Sequence, residues 1–271
     1  MPAPRKLGLH TVSGLRHQLR LFFTALQFFT RLPVPRWVGF DAAWLQHATR
    51  YFPAVGLVVA LACAAVYGLS ALLLPQLVAV LLSTAAGIYL TGAFHEDGFA
   101  DVCDGFGGGM QATRVLEIMR DSRVGAYGVI GVVLLLALKL ATLASLPAWQ
   151  VAPALLLAHP VSRCLAAGLI WRMDYVREEG KVKPLAQQMS SFEFSIAALT
   201  GLAPVALCLA LGWLAWQGVV LALLLGLVAT FFLAHKFQRH IGGYTGDCLG
   251  ALQQLSEVAI YLGLLAAVSY S

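Results

Sequence analysis

From Phe52 onward the chain alternates long apolar runs with short polar interruptions. Runs that approach or exceed 18 residues with almost no charge are the signature of helices that cross a bilayer. Counting them gives seven spans, over roughly residues 52–74, 76–94, 127–146, 149–171, 194–214, 217–236 and 250–269. Pro75, the Leu146–Pro147 step and the Trp216–Gln217 step mark tight turns, so the spans form three hairpins and one final helix. The pattern predicts an all-α, polytopic membrane helix bundle.

Ahead of the first span lies LRLFFTALQFFTRLPVPRW, whose apolar run is too short to cross. Arg20, Arg31 and Arg36 flank it, and Pro33 and Pro35 stop it. This reads as an interfacial helix at the membrane surface, with a core-packing helix as the alternative. The first 20 residues are basic and polar and lack an apolar stretch ahead of a small-residue cleavage site, so no removable signal peptide is expected. One domain over 1–271 follows: an N-terminal interfacial segment over 1–50 and a helical bundle over 51–271.

Composition agrees with the pattern. The chain is 59% hydrophobic and 11% charged, against about 25% charged residues in a typical globular domain. Its mean hydropathy is +0.78. The net charge of +5 is explained by where the charges fall rather than by nucleic-acid binding. Following the hairpins, the N-terminus and the loops 95–126, 172–193 and 237–249 share one face. Of the 18 Lys and Arg residues, only Lys139 and Arg163 lie off that face, inside helices. The opposite face carries short uncharged turns. The positive-inside rule makes the charged face cytoplasmic, so the expected location is a bacterial inner membrane, multi-pass, with the chemistry facing the cytoplasm. Five scattered cysteines without a CxxC pair argue against a disulfide framework or a zinc site.

Against this apolar background the stretch HEDGFADVCDGFGGG, from His95, concentrates negative charge. Asp97, Asp101 and Asp104 stand at i, i+4 and i+7, within about 60° of arc on a helix. Like charges on one face repel and raise one another's pKa. A hard divalent cation relieves this, and Mg²⁺ keeps several waters while bridging to substrate phosphates. Glu96 points about 100° away from Asp97, and His95 is a packing or hydrogen-bonding residue. Gly105 to Gly109 form either an anion nest or a plain loop.

Other polar groups gather on the same face. Arg120 and Arg123 flank Asp121 in RDSR, and arginine forks match phosphate oxygens. Asp121 is either a further metal carboxylate or a partner for those arginines. Lys139 and Arg163 sit within spans, where charge is costly, and either reach an anionic substrate or pair with buried acids such as Glu257. HIGGYTGDCLG feeds the last helix through glycines around Thr245 and Asp247, an arrangement that favours anions. Gly243 and Thr245 are the candidate contacts, and Asp247 is either the helix N-cap or a second metal ligand. Acids for a metal, arginines for phosphate and Gly-rich turns together fit Mg²⁺-assisted transfer of a phosphate-containing group. No Walker A sequence is present.

FHEDGFADVCDGFGGG followed by VLEIMRDSRVGAYG resembles the cobalamin synthase (adenosylcobinamide-GDP ribazoletransferase) family. The resemblance continues in FFTRLPVP, LALKLATLASL, HPVSR and GGYTGDCLGALQQLSE, covering about Phe28 to Glu257. It implies a Mg²⁺-dependent inner-membrane enzyme that joins adenosylcobinamide-GDP to α-ribazole, or to its 5′-phosphate, with release of GMP. Carried across by position, the matching acids are Asp97, Asp101, Asp104, Asp121 and Asp247. The expected roles are metal binding for the first three, catalysis for Asp121 and Asp247, and substrate binding for Arg120, Arg123, Lys139, Arg163, Gly243 and Thr245. The expected partners are the two substrates and the lipid bilayer, with no nucleic acid. Association with further copies or with other corrinoid-pathway enzymes stays open.

Two rivals compete. A CDP-alcohol phosphotransferase also uses an Asp-rich helix, but Asp101 and Val102 stand where its pattern has Ala-Arg. A cation transporter needs polar groups on both faces, and one face here is bare.

Overall fold

The computed structural model describes residues 14–176 and 188–269. Arg5 and Lys6 of the basic N-terminus, and Arg177, Lys181 and Lys183 of the expected charged loop, lie outside the described residues. The described residues are helical and contain no strand beyond an isolated Tyr175–Tyr244 bridge. The helices are α1 Leu15–Phe29, α2 Ala42–Ala48, α3 Phe52–Ala71, α4 Gln76–Thr91, α5 Phe94–Gly108, α6 Ala112–Ile118, α7 Ala126–Ser145, α8 Ala148–Arg172, α9 Ser191–Ala210, α10 Trp216–Ile241 and α11 Gly246–Ser269.

Six helices are long and apolar enough to cross a membrane, and the count reaches seven if α4 and α5 are one broken span. The first crossing unit includes α2 and runs as Ala42–Ala71. Large apolar side chains such as Leu69, Val133, Leu199 and Phe231 stand exposed on the outer helices. In water they would be a liability; against lipid they are the expected surface. The most buried spans are α8 and α11, which form the centre. Proline at 153 and 160 is tolerated inside α8, because neighbouring helices re-satisfy the backbone in such a bundle.

Two apolar clusters fill the interior. One joins α1, α3, α5, α8, α10 and α11 around Phe29, Phe52, Phe237 and Leu252. The other joins α3, α4, α7, α8, α9, α10 and α11 around Tyr67, Leu143, Leu157 and Ile260. Between them the buried side chains are polar, including Glu96, Lys139, Arg163 and Glu257. Helix α1 lays Leu21, Ala25, Leu26 and Phe29 against the bundle and exposes Leu15 and Leu19, so it packs through one face. The Phe29 and Phe52 rings meet edge to face at 4.5 Å.

The expected second span and the loop after it need correcting. Helix α4 stops at Thr91, the chain turns through Gly92 (φ 68°) and Ala93 (φ 60°), and α5 leaves at 88° to α4. Two consecutive left-handed residues cannot continue a right-handed helix. A left-handed conformation costs an alanine about 1–2 kcal/mol, so the surrounding packing holds this corner. The segment 95–126 is therefore not a plain loop. It contains α5 and α6, and α5 carries the acidic residues.

Candidate functional site

Helix α5 presents its three aspartates at three different depths. Asp97 is exposed, Asp101 is half-buried and Asp104 is buried. The depth of Asp104 has a direct cause. Its carboxylate lies over the start of α7, where Oδ2 accepts the Gly125 N–H at 2.7 Å and Oδ1 accepts the Gly128 N–H at 2.8 Å. A helix N-terminus leaves backbone donors unpaired and carries partial positive charge, so an anion from a neighbouring helix satisfies both needs. A Cβ at either position would collide with the carboxylate where it now lies.

The expected metal role of Asp104 therefore meets a second, structural one. Asp104 has both oxygens committed to α7. Among the described residues, no group of three or more His, Cys, Asp or Glu side chains is arranged to hold a metal ion. Asp97 and Asp101 remain, and Mg²⁺ is commonly bound through one or two carboxylates plus substrate phosphates and water. The donor set fits an ion that arrives with a diphosphate.

Asp247 belongs to the same neighbourhood. Gly98, between Asp97 and Asp101 on α5, lies so close to α11 that an added Cβ would stand 3.0 Å from the Asp247 Cα and carbonyl oxygen. Gly250 approaches the His95 backbone in the same way. The last helix begins at Gly246, earlier than its hydropathy suggested, which puts half-buried Asp247 in its first turn. Asp247 is not the cap. Thr245 takes that place: its Oγ1 accepts the Cys248 N–H at 3.3 Å, and its residue is fully buried. Gly242 (φ 79°) ends α10, and the chain then pairs with 174–176, Tyr244 N donating to Asp174 O at 3.0 Å and Val176 N to Tyr244 O at 3.0 Å. Gly243 is buried in that pairing, where a Cβ would strike the Asp174 carbonyl. Gly243 and Thr245 thus shape the turn that delivers Asp247.

The RDSR segment lies between α6 and α7. Arg120 is exposed. Asp121 accepts from Arg123 Nη2 at 2.7 Å, Nε at 3.0 Å and backbone N at 3.1 Å. Those hydrogen bonds hold the Asp121 carboxyl down at about 2. The capping of α7 by Asp104 fixes this segment beside α5. The GFGGG glycines do not form a nest: Gly105 to Gly108 continue α5 and only Gly109 is extended.

Lys139 and Arg163 are drawn together, away from the surface, by Glu257. Lys139 Nζ lies 2.5 Å from Glu257 Oε1, and His159 Nδ1 lies 3.1 Å from Oε2. Arg163 Nη1 is 4.0 Å from the same Oε2. Gln253 Nε2 donates to Glu257 at 2.5 Å. These groups line a cavity of about 20 Å³. Pairing with a buried acid, one of the two options the sequence left open, is present in the structure.

The sequence reading missed His159, Gln253 and Gln254 in this cluster. Their signal was polarity inside apolar spans, the same signal that marked Lys139. It also missed the buried ion pair between Arg50 and Glu193, to which His47 Nδ1 adds a contact at 2.7 Å. This pair ties the start of the first span to α9. At the surface, Phe106 of α5 sits beneath Lys236 and beside His240 of α10.

A sequence model of the family described as cobalamin-5-phosphate synthase matches residues 21–265. The adenosylcobinamide-GDP ribazoletransferase of Leptothrix cholodnii is 45% identical over 263 residues, covering 95% of this chain and 99% of the relative. The protein of the same name from Shewanella frigidimarina is 46% identical over 257 residues, covering 92% and 95%. That from Vibrio cholerae is 42% identical over 265 residues, covering 94% and 97%. No solved structure matches the chain.

Proposed function

Because this chain belongs to the cobalamin-5-phosphate synthase family and is an enzyme of cobalamin synthesis, we propose that it joins adenosylcobinamide-GDP to α-ribazole or α-ribazole 5′-phosphate. A ribose hydroxyl oxygen attacks the phosphorus nearer the cobinamide. The new O–P bond forms as the bond from that phosphorus to the bridging oxygen breaks, and GMP leaves. The hydroxyl proton passes to a carboxylate.

Asp97 and Asp101 are the residues that would hold Mg²⁺, which when bound neutralises the diphosphate and the departing GMP. Asp104 positions the 120–125 segment through its bonds to Gly125 and Gly128. Arg120, exposed on that segment, would meet phosphoryl oxygens, and Arg123 hydrogen-bonds Asp121. Asp121 is tied to Arg123 by side-chain and backbone hydrogen bonds, so the base role is assigned to Asp247. Lys139 and Arg163 act from inside the bundle as the counter-charges of Glu257 rather than as phosphate contacts. The distribution of Lys and Arg supports a cytoplasm-facing site in the inner membrane.

The observation that carries this reading is the close approach of Gly98, one residue after Asp97, to the Asp247 backbone. The test is GMP release by purified Asp101→Asn protein across a Mg²⁺ titration, with adenosylcobinamide-GDP and α-ribazole omitted in turn. The expected result is a large rise in the Mg²⁺ concentration needed. Near-normal release at low Mg²⁺ rules out the metal face.

A further inference from the structure

The cavity beside Glu257 has a chemical imbalance. Six buried side-chain polar atoms lack a hydrogen-bond partner among the described residues, and five of them belong to residues that line this one chamber: Glu96 Oε2, His159 Nε2, Arg163 Nε, Gln253 Oε1 and Gln254 Oε1. The residues that own them are each at least nine-tenths buried. Buried polar groups left unpaired are costly, and native proteins keep few of them. Five at one address point to a ligand.

Their donor and acceptor character follows from their neighbours. An ionised carboxylate only accepts. Gln254 Nε2 donates to Glu96 Oε1 at 2.8 Å and Gln253 Nε2 donates to Glu257 Oε2 at 2.5 Å, so both amide oxygens are turned the other way. His159 Nδ1 faces Glu257 Oε2 at 3.1 Å and carries the hydrogen there, which makes Nε2 of the neutral ring an acceptor. The unpaired set is therefore four acceptors and one donor, Arg163 Nε. The ligand must be rich in donors yet also accept one bond. It must also be small, because the chamber measures about 20 Å³, room for one water and at most two. The formal charges of Glu96 and Glu257 already balance those of Lys139 and Arg163, so an added cation would leave net charge within the bundle, where it is expensive.

We propose that this chamber is a binding site for one or two water molecules, and that the bound water pins α5. Glu96 is held on one oxygen by Gln254 of α11, and the water takes the other oxygen and links it to α8 through His159 and Arg163. Glu96 immediately precedes Asp97, so the pin sets the rotation of the helix that presents Asp97 and Asp101. Glu96 and Gln254 are thereby positioning residues for that face. The water site stands on the geometry alone, whereas its consequence for Mg²⁺ rests on the reading of Asp97 and Asp101 given above.

Two measurements on the full chain in detergent separate these parts. The first is radiolytic hydroxyl labelling in H₂¹⁸O, which modifies buried side chains only where bound water lies against them. Cys63 and His159 line the chamber, whereas the equally buried Cys208 does not. Labelling of Cys63 and His159 well above Cys208 is expected, with slow exchange of the isotope; labelling of all three at the same low level overturns the water site. Thermal midpoints in sodium, potassium, ammonium and choline chloride are expected to coincide, and a saturable rise with one small cation would replace water by that ion. The second measurement uses Gln254→Leu, which removes the bond to Glu96. The apparent KM for Mg²⁺ is expected to rise, because α5 loses its bond to α11, with kcat at saturating Mg²⁺ largely kept and His159 labelling reduced. Loss of kcat with an unchanged KM for Mg²⁺ would leave Gln254 a merely structural residue and overturn the pin.

Discussion

The Asp104 carboxylate accepts the Gly125 backbone N–H at 2.7 Å, reaching from the last turns of α5 to the first turn of α7. A residue that reads as the third member of a metal face is thus the cap of a neighbouring helix. The remaining carboxylates of that face, Asp97 and Asp101, keep access to the surface.

Asp104→Ala removes both acceptors and leaves the Gly125 and Gly128 N–H groups unpaired. The expected cost is about 2–4 kcal/mol, read as a lower thermal midpoint of the detergent-purified protein. The Mg²⁺ dependence of the activity that remains is expected to be unchanged, which separates a cap from a metal ligand. Gly128→Ala acts in the same direction, because its methyl group would occupy the place of the Asp104 carboxylate.

Lys139→Met leaves the fully buried Glu257 without its closest cation. Breaking a buried pair from one side costs about 3–5 kcal/mol. The double variant Lys139→Met/Glu257→Gln is expected to be more stable than Lys139→Met alone, since no uncompensated charge remains. Denaturation of the two proteins in the same detergent checks the order.

Asp121 and Asp247 separate by pH. Arg123 holds Asp121 at about 2, below the ordinary aspartate value of 3.8. A depressed carboxylate contributes its full stabilisation above the ordinary value and loses it as pH falls from about 4 toward 2. Asp121 therefore stays ionised throughout the neutral and mildly acidic range, and Asp121→Asn is expected to leave the acid limb of the kcat/KM profile in place. Asp247→Asn is expected to lower kcat by about 10²–10⁴ and to remove that limb. An acid limb that disappears with Asp121 instead would reverse the two roles.

Glu193 joins two structures at once. It closes the capping box of α9 with Ser190 and forms the buried ion pair with Arg50. Glu193→Ala is expected to cost about 3 kcal/mol or more, as a lost cap adds to an unpaired buried arginine. Thermal unfolding followed by protease sensitivity near Ser190 and Arg50 measures it.

The sequence by itself determined the helical class, the apolar spans and the gathering of acids and arginines, because each rests on local composition. A run such as 126–145 has nowhere to bury its backbone polar groups in lipid except within a helix. Polar residues set in such runs advertise themselves, which is how Lys139, Arg163 and Glu257 were legible as partners. Tertiary structure decided what local pattern does not encode. The 88° corner at Gly92–Ala93 depends on two left-handed residues, one of them an alanine that no propensity would place there. Asp97, Asp101 and Asp104 are equivalent by spacing, yet the start of α7 lies against only the last of them. Asp247, 150 residues downstream of Asp97, reaches the acidic face because Gly98 and Gly250 let two backbones close to contact distance. Helical period fixes which residues share a face; only the packing of one helix on another fixes what that face meets.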